Sequence, residues 1–133
     1  MSLPTSLVRQ NVGTAAASAR VWFEDRTTLK SRAVFDTKRG LGDTREGSVY
    51  AYFTTEGKAA YVGQTGRAVK ARLHDQTSPH KNAPWWSSWS HMRFIRLSDD
   101  MDRLVLEFLL IMAYAPTANN KPRAKSLDDL LPL

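Results

Sequence analysis

Two tyrosines, an arginine and a glutamate carry the chemistry that this chain can do. Tyr50 and Tyr61 lie in two β-prone runs, Arg72 in the basic stretch that follows them, and Glu107 in a later apolar run. Phenols, a guanidinium and a carboxylate together suit phosphodiester chemistry. The guanidinium of Arg72 is a planar fork that fits phosphate oxygens and offsets charge on a transferring phosphoryl group; a solvated helix arginine is the plainer reading. A phenol titrates near about 10 and is a poor base at neutral pH unless a cation favours its phenolate. Ordinary sheet packing with edge hydroxyls is the alternative for both tyrosines. Glu107 sits among Val105, Leu106, Phe108, Leu109 and Leu110. A carboxylate there must be paired, protonated or bound to metal, and Arg103, four residues earlier, offers a helix ion pair.

The elements that position these groups follow from periodicity. Ser48 to Thr54 reads as a strand with Val49, Ala51 and Phe53 on one face and Tyr50 and Tyr52 on the other. Thr55-Glu56-Gly57-Lys58 is a turn, and Ala59 to Gly63 the returning strand of a hairpin. Arg67 to Gln76 reads as a helix, with Gly66 opening its first turn. Thr77 to Ser90 reads as an ordered loop holding Pro79, Pro84, Trp85, Trp86 and Trp89, and His91 to Leu97 alternates as a third strand. Asp99 caps a long helix to about Tyr114, apolar over most of its circumference and therefore central, which Pro116 stops. Before residue 47 the pattern is weak, with a helix expected near 14–26. The expected architecture is α+β: a three-stranded antiparallel sheet flanked by helices. It divides into an N-terminal extension (1–46), a core domain (47–122) and a C-terminal tail or short helix (123–133).

Composition narrows the partners. The 133 residues carry 19 Lys and Arg against 13 Asp and Glu, a formal charge of +6. A positive excess favours a polyanionic partner. There is no cysteine, so neither disulfides nor a thiolate zinc site enter the account. His74, His80 and His91 lack zinc-helix spacing. No run of 18 apolar residues and no signal-type N-terminus is seen, so no membrane partner and a cytoplasmic location are expected. Lys58, Arg67 and Lys70 are candidate phosphate contacts, although solvent exposure explains each one singly. Trp85 and Trp86 can stack on bases, roof the small sheet or meet a second subunit.

The ordered set of these residues resembles the GIY-YIG nuclease superfamily. Its two tripeptides appear as Ser48-Val49-Tyr50, with serine in place of the first glycine, and Tyr61-Val62-Gly63, followed by Gln64-Thr65-Gly66-Arg67. The family's helix arginine falls on Arg72, its metal-binding glutamate on Glu107, and its later proline and asparagine on Pro116 and Asn119. The likeness covers roughly residues 47–122. It implies a metal-dependent DNA endonuclease using Mg²⁺, with Mn²⁺ as a substitute, bound through Glu107. Tyr50 would activate or orient the attacking water, Tyr61 position water or phosphate, and Arg72 contact the phosphoryl group. Gly63 would shape the site and Asn119 fasten nearby backbone. A homodimer or protein partner fits a chain with no obvious second recognition domain. The competing expectation is an inactive module on the same fold that binds nucleic acid or protein.

Overall fold

The computed structural model describes residues 5–37, 42–68 and 79–119. The elements run α1 (Thr5–Arg26), β1 (Lys30–Ser31), α2 (Arg32–Thr37), β2 (Glu46–Thr54), β3 (Ala59–Ala68), two 3₁₀ turns (Pro79–Asn82 and Pro84–Ser87), β4 (Trp89–Arg96) and α3 (Asp100–Tyr114). The fold is α+β, with one antiparallel sheet in the order β1-β4-β2-β3.

The sheet has four strands where three are expected. The additional one, β1, pairs only Lys30 with Met92 and Ser31 with His91. Two residues are too few for an alternating pattern to show in sequence. The β2–β3 hairpin closes through Gly57, whose φ of +83° suits glycine, with the Gly57 amide donating to the Thr54 carbonyl at 2.9 Å. β3 continues to Ala68, past the Gly63 end expected for it. Arg67 is therefore a strand residue, not the first residue of a helix, and Gly66 lies within the ladder. The remainder of the expected 67–76 helix, with Lys70, Arg72 and His74, falls outside the described residues, as does the expected short helix at 127–131.

Alternation sorts the sheet into two cores. On one face Val49, Ala51, Phe53, Ala59 and Val62 pack with Phe23 of α1 and with Leu106 and Leu110 of α3. On the other, Tyr50, Tyr52, Trp89 and Met92 pack with Phe35 of α2 and are flanked by Tyr61, Trp85, Trp86 and Phe94. Phe23 and Phe35 are 0% and 2% exposed, so α1 and α2 each complete one of the two cores. The expected helix near 14–26 is longer, beginning at Thr5. Glu24 at its inner side accepts from the Tyr114 hydroxyl at 2.6 Å and from Arg20 Nε at 3.0 Å, which ties α1 to α3.

α3 begins where Asp99 accepts from the Asp102 amide at 2.8 Å. It ends at Ala115, left-handed at φ 46°, whose amide still donates to the Ile111 carbonyl. Pro116 follows and prevents continuation. No helix among the described residues is long and apolar enough to cross a membrane.

Candidate active site

Strand register brings the two motif tyrosines together. Tyr50 stands opposite Gly63, and Tyr52 opposite Tyr61. Tyr50, Tyr61 and Gly63 therefore share a face, with the Tyr50 and Tyr61 rings 6.4 Å apart. Gly63 is what makes this possible. A Cβ there would lie 2.7 Å from the Tyr50 Oη and 2.8 Å from Tyr61 Cε2, closer than any side chain tolerates without movement. The Tyr50 phenol thus occupies the volume of the missing side chain. Tyr50 is 1% exposed, whereas Tyr61 is half-buried.

The same face turns polar beyond Tyr50. Ser48 pairs with Thr65 on β3 and with Arg96 on β4. Ser48 and Thr65 are both buried, and the Ser48 Oγ has no hydrogen-bond partner among the described residues. Thr65 accepts from the Arg67 amide at 3.1 Å. In sequence Ser48 stands where the first tripeptide has glycine, and Thr65 carries no sign of a role of its own. Their shared position emerges only from cross-strand register, because they are 17 residues apart in the chain. Arg67, exposed at the end of β3, lies on the same polar side.

Glu107 is 4% exposed and comes from the other layer. Leu106 and Leu110 beside it pack on Val49 and Val62. With Leu104, Val105, Phe108, Leu109 and Ile111 it lines a cavity of about 380 Å³. The ion pair offered by Arg103 is not formed. Arg103 Nε donates to Gln64 at 3.1 Å, its Nη1 to the Leu97 and Ser98 carbonyls at 2.8 and 3.0 Å, and its Nη2 pairs with Asp100. Its donors are spent joining α3 to β3 and to the end of β4. Among the described residues no three His, Cys, Asp or Glu come together as a metal cluster. Glu107 is a hard oxygen donor of the kind Mg²⁺ or Mn²⁺ takes, and the rest of the cavity's described lining is apolar.

Asn119 reaches the site through the backbone. Its side-chain carbonyl accepts from the Val62 amide at 2.7 Å and its amide donates to the Val62 carbonyl at 2.8 Å. The Thr117 and Ala118 amides donate to the Ala59 and Ala60 carbonyls. The segment after α3 thus runs along the outer edge of β3 and holds it one residue before Gly63.

The tryptophans pack. Trp85 stacks on Tyr61 at 4.8 Å with planes 7° apart, and Trp86 meets Tyr52 and Phe35 edge-on. Arg32 clamps their loop, donating to the Trp86 and Trp89 carbonyls at 2.7 and 3.1 Å and lying 4.4 Å over the Trp89 ring. One face of Trp85 is consequently occupied by protein. Lys58 is exposed at the hairpin tip, five residues and about 17 Å of strand from Gly63.

The structure therefore unites Tyr50, Tyr61 and Gly63, fastens them through Asn119, and supplies Glu107 from the opposite layer beside edge strand β3. Compared with models of known protein families, with curated proteins and with solved structures, the chain matches none.

Proposed function

We propose that the chain is a divalent-metal-dependent DNA endonuclease of the GIY-YIG type. The observation that carries this is the interlock of Tyr50 with Gly63. Register puts the two motif tyrosines on one face, and the Tyr50 phenol has room there only because the position opposite it lacks a side chain; that position is the last of the second tripeptide. Sheet packing alone asks for no hydroxyl at such a place. The Asn119 bonds to Val62, the middle residue of the same tripeptide, add support.

In the reaction, a water oxygen attacks phosphorus, the bond from phosphorus to the 3′ oxygen breaks, and a proton reaches the leaving oxygen. The products are a 5′-phosphate and a 3′-hydroxyl. Tyr50 orients the water and accepts its hydrogen bond, and Tyr61, the more accessible of the two, positions water or phosphate. Arg72 offsets charge on the phosphoryl group. Glu107 would hold a divalent cation, which when bound would polarise the phosphate and favour departure of the leaving oxygen.

Glu107→Gln tests this directly. On supercoiled plasmid with Mg²⁺, Mn²⁺ or chelator, the variant is expected to lose cleavage at least about 100-fold while still binding DNA. Equal cleavage by variant and wild type removes the metal assignment.

The near-complete burial of Tyr50 and the origin of Glu107 in the opposite layer favour a second reading, an inactive nucleic-acid-binding module on the same fold. Wild type that binds DNA but nicks no substrate in either metal selects it.

A further inference from the structure

Strand β1 covers only the first half of β4. It pairs with His91 and Met92, and beyond them, among the described residues, no strand lies against the outer edge of Arg93 to Arg96. A groove of about 340 Å³ opens there, lined by Arg26, Thr28, Lys30, Asp43, Phe94 and Arg96, among others. Three cations therefore converge from three elements: the last turn of α1, the two-residue strand β1 and the end of β4. The acid in the groove is already engaged, because Asp43 makes a two-pronged pair with Arg45 at 2.9 and 2.8 Å. Arg26 gives one donor to the Trp22 carbonyl and keeps the rest. Neither Lys30 nor Arg96 has a side-chain hydrogen bond or ion pair among the described residues, and the Arg96 Nε is buried without a partner. Asp43 offsets part of this charge, since Arg45 foremost and then Arg96 hold its carboxyl low. One carboxylate shared with Arg45 leaves the three groove cations in excess, and holding like charges together costs free energy that a further anion repays.

The groove adjoins the candidate site. Phe94 stands opposite Tyr50 and Arg96 opposite Ser48 on β2. An anion held by Arg96 is thus one register row from the tyrosine pair.

We propose that Arg26, Lys30 and Arg96 form a docking track for the phosphodiester backbone of duplex DNA, leading it from the β1–β4 edge to the tyrosine face. This rests on the nuclease reading for the identity of the polyanion and adds where that polyanion enters. Sequence-independent contacts of this kind position a substrate without reading its bases. The track draws on residues before the motif region, which gives those residues a part in binding as well as in folding.

The test is fluorescence anisotropy with a labelled 20-base-pair duplex in chelator, across a salt series, using the intact chain. Each lost phosphate contact lowers the salt slope by about 0.9 and the affinity at 0.15 M salt by about 5-fold. Lys30→Gln combined with Arg26→Gln, a change of two charges, is expected to lower the slope by about 2 and the affinity by about 25-fold. Its urea midpoint should stay close to wild type, because Arg26 is exposed and the half-buried Lys30 makes no side-chain hydrogen bond or ion pair among the described residues. Arg9→Glu, at the far end of α1 and about 25 Å away, controls for net charge and is expected to lose far less. Equal losses from Arg9→Glu and the double variant, or none from the double variant, overturn the track. If wild type still cleaves plasmid in that case, the nuclease reading survives. Wild type that neither binds nor cleaves DNA removes both, and preference for RNA over the duplex overturns the assignment to DNA.

Discussion

Replacing Gly63 with alanine sets two physical effects against each other. Alanine in a strand interior is favoured over glycine by about 0.5–1 kcal/mol, because less backbone entropy is lost on folding. At this site the new methyl would fall 2.7 Å from the Tyr50 Oη, 2.8 Å from Tyr50 Cζ and 2.8 Å from Tyr61 Cε2. Tyr50 is 1% exposed and touches Tyr52 at 5.7 Å between rings, so its ring cannot simply swing away. Overpacking of this kind costs about 1–3 kcal/mol. The net expectation is a loss of about 1.5 kcal/mol, read in urea as a fall of about 1 M in midpoint at an ordinary slope. Tyr50→Phe in the same background removes one of the three close atoms and leaves the carbon contacts. It should restore part of the loss, as a coupling of about 0.5–1 kcal/mol in a double-mutant cycle. Cleavage by Gly63→Ala should fall further than stability does, because the displaced hydroxyl is the group assigned to the attacking water. An alanine variant as stable as wild type or more so, with no coupling to Tyr50, would show that propensity decides the site and that the interlock is incidental.

Other perturbations separate folding from chemistry. Tyr50→Phe alone is expected to leave the urea midpoint within about 0.5 M and to cut single-turnover cleavage by at least about 10-fold across pH 6–9; unchanged turnover excludes its hydroxyl from the reaction. Asn119→Ala strands both Val62 backbone groups and should cost about 2 kcal/mol, while Asn119→Asp, which sets a buried carboxylate oxygen against the Val62 carbonyl, should cost at least as much and more at pH 7 than at pH 4, as urea titrations can compare. Burial pushes the Glu24 carboxyl up, but the hydrogen bonds from Tyr114 and Arg20 and the nearby Arg93 charge outweigh it and hold the carboxyl below its usual range. A depressed carboxyl stabilises the fold above its unfolded-state pKa and loses that contribution as pH falls through the folded value. The stability gap between wild type and Glu24→Gln should therefore be full at pH 6 and shrink below about pH 4; a gap that is constant with pH places the effect of Glu24 outside its charge.

Local pattern alone specified much of this molecule. Alternation in Ser48 to Thr54 assigned Val49, Ala51 and Phe53 to one face and Tyr50 and Tyr52 to the other, and the two cores divide along that line. The turn at Gly57, the cap at Asp99 and the stop at Pro116 are likewise local, because a positive φ, a side-chain acceptor and a missing amide act within a few residues. Tertiary structure decided what depends on pairing between distant segments. β1 is invisible in sequence because two residues carry no period, and β3 outruns its apolar pattern because its last residues are held by the ladder and by Arg103. The Trp85 stack on Tyr61, the Arg103 contacts with Gln64 and the burial of Phe23 and Phe35 all join segments that no spacing rule connects. The candidate site divides in the same way. Its residue types and order were legible in the chain, because chemistry restricts which side chains serve. That Gly63 gives its volume to Tyr50, and that Glu107 rises from the opposite layer, are consequences of register and helix packing, which only the folded sheet determines.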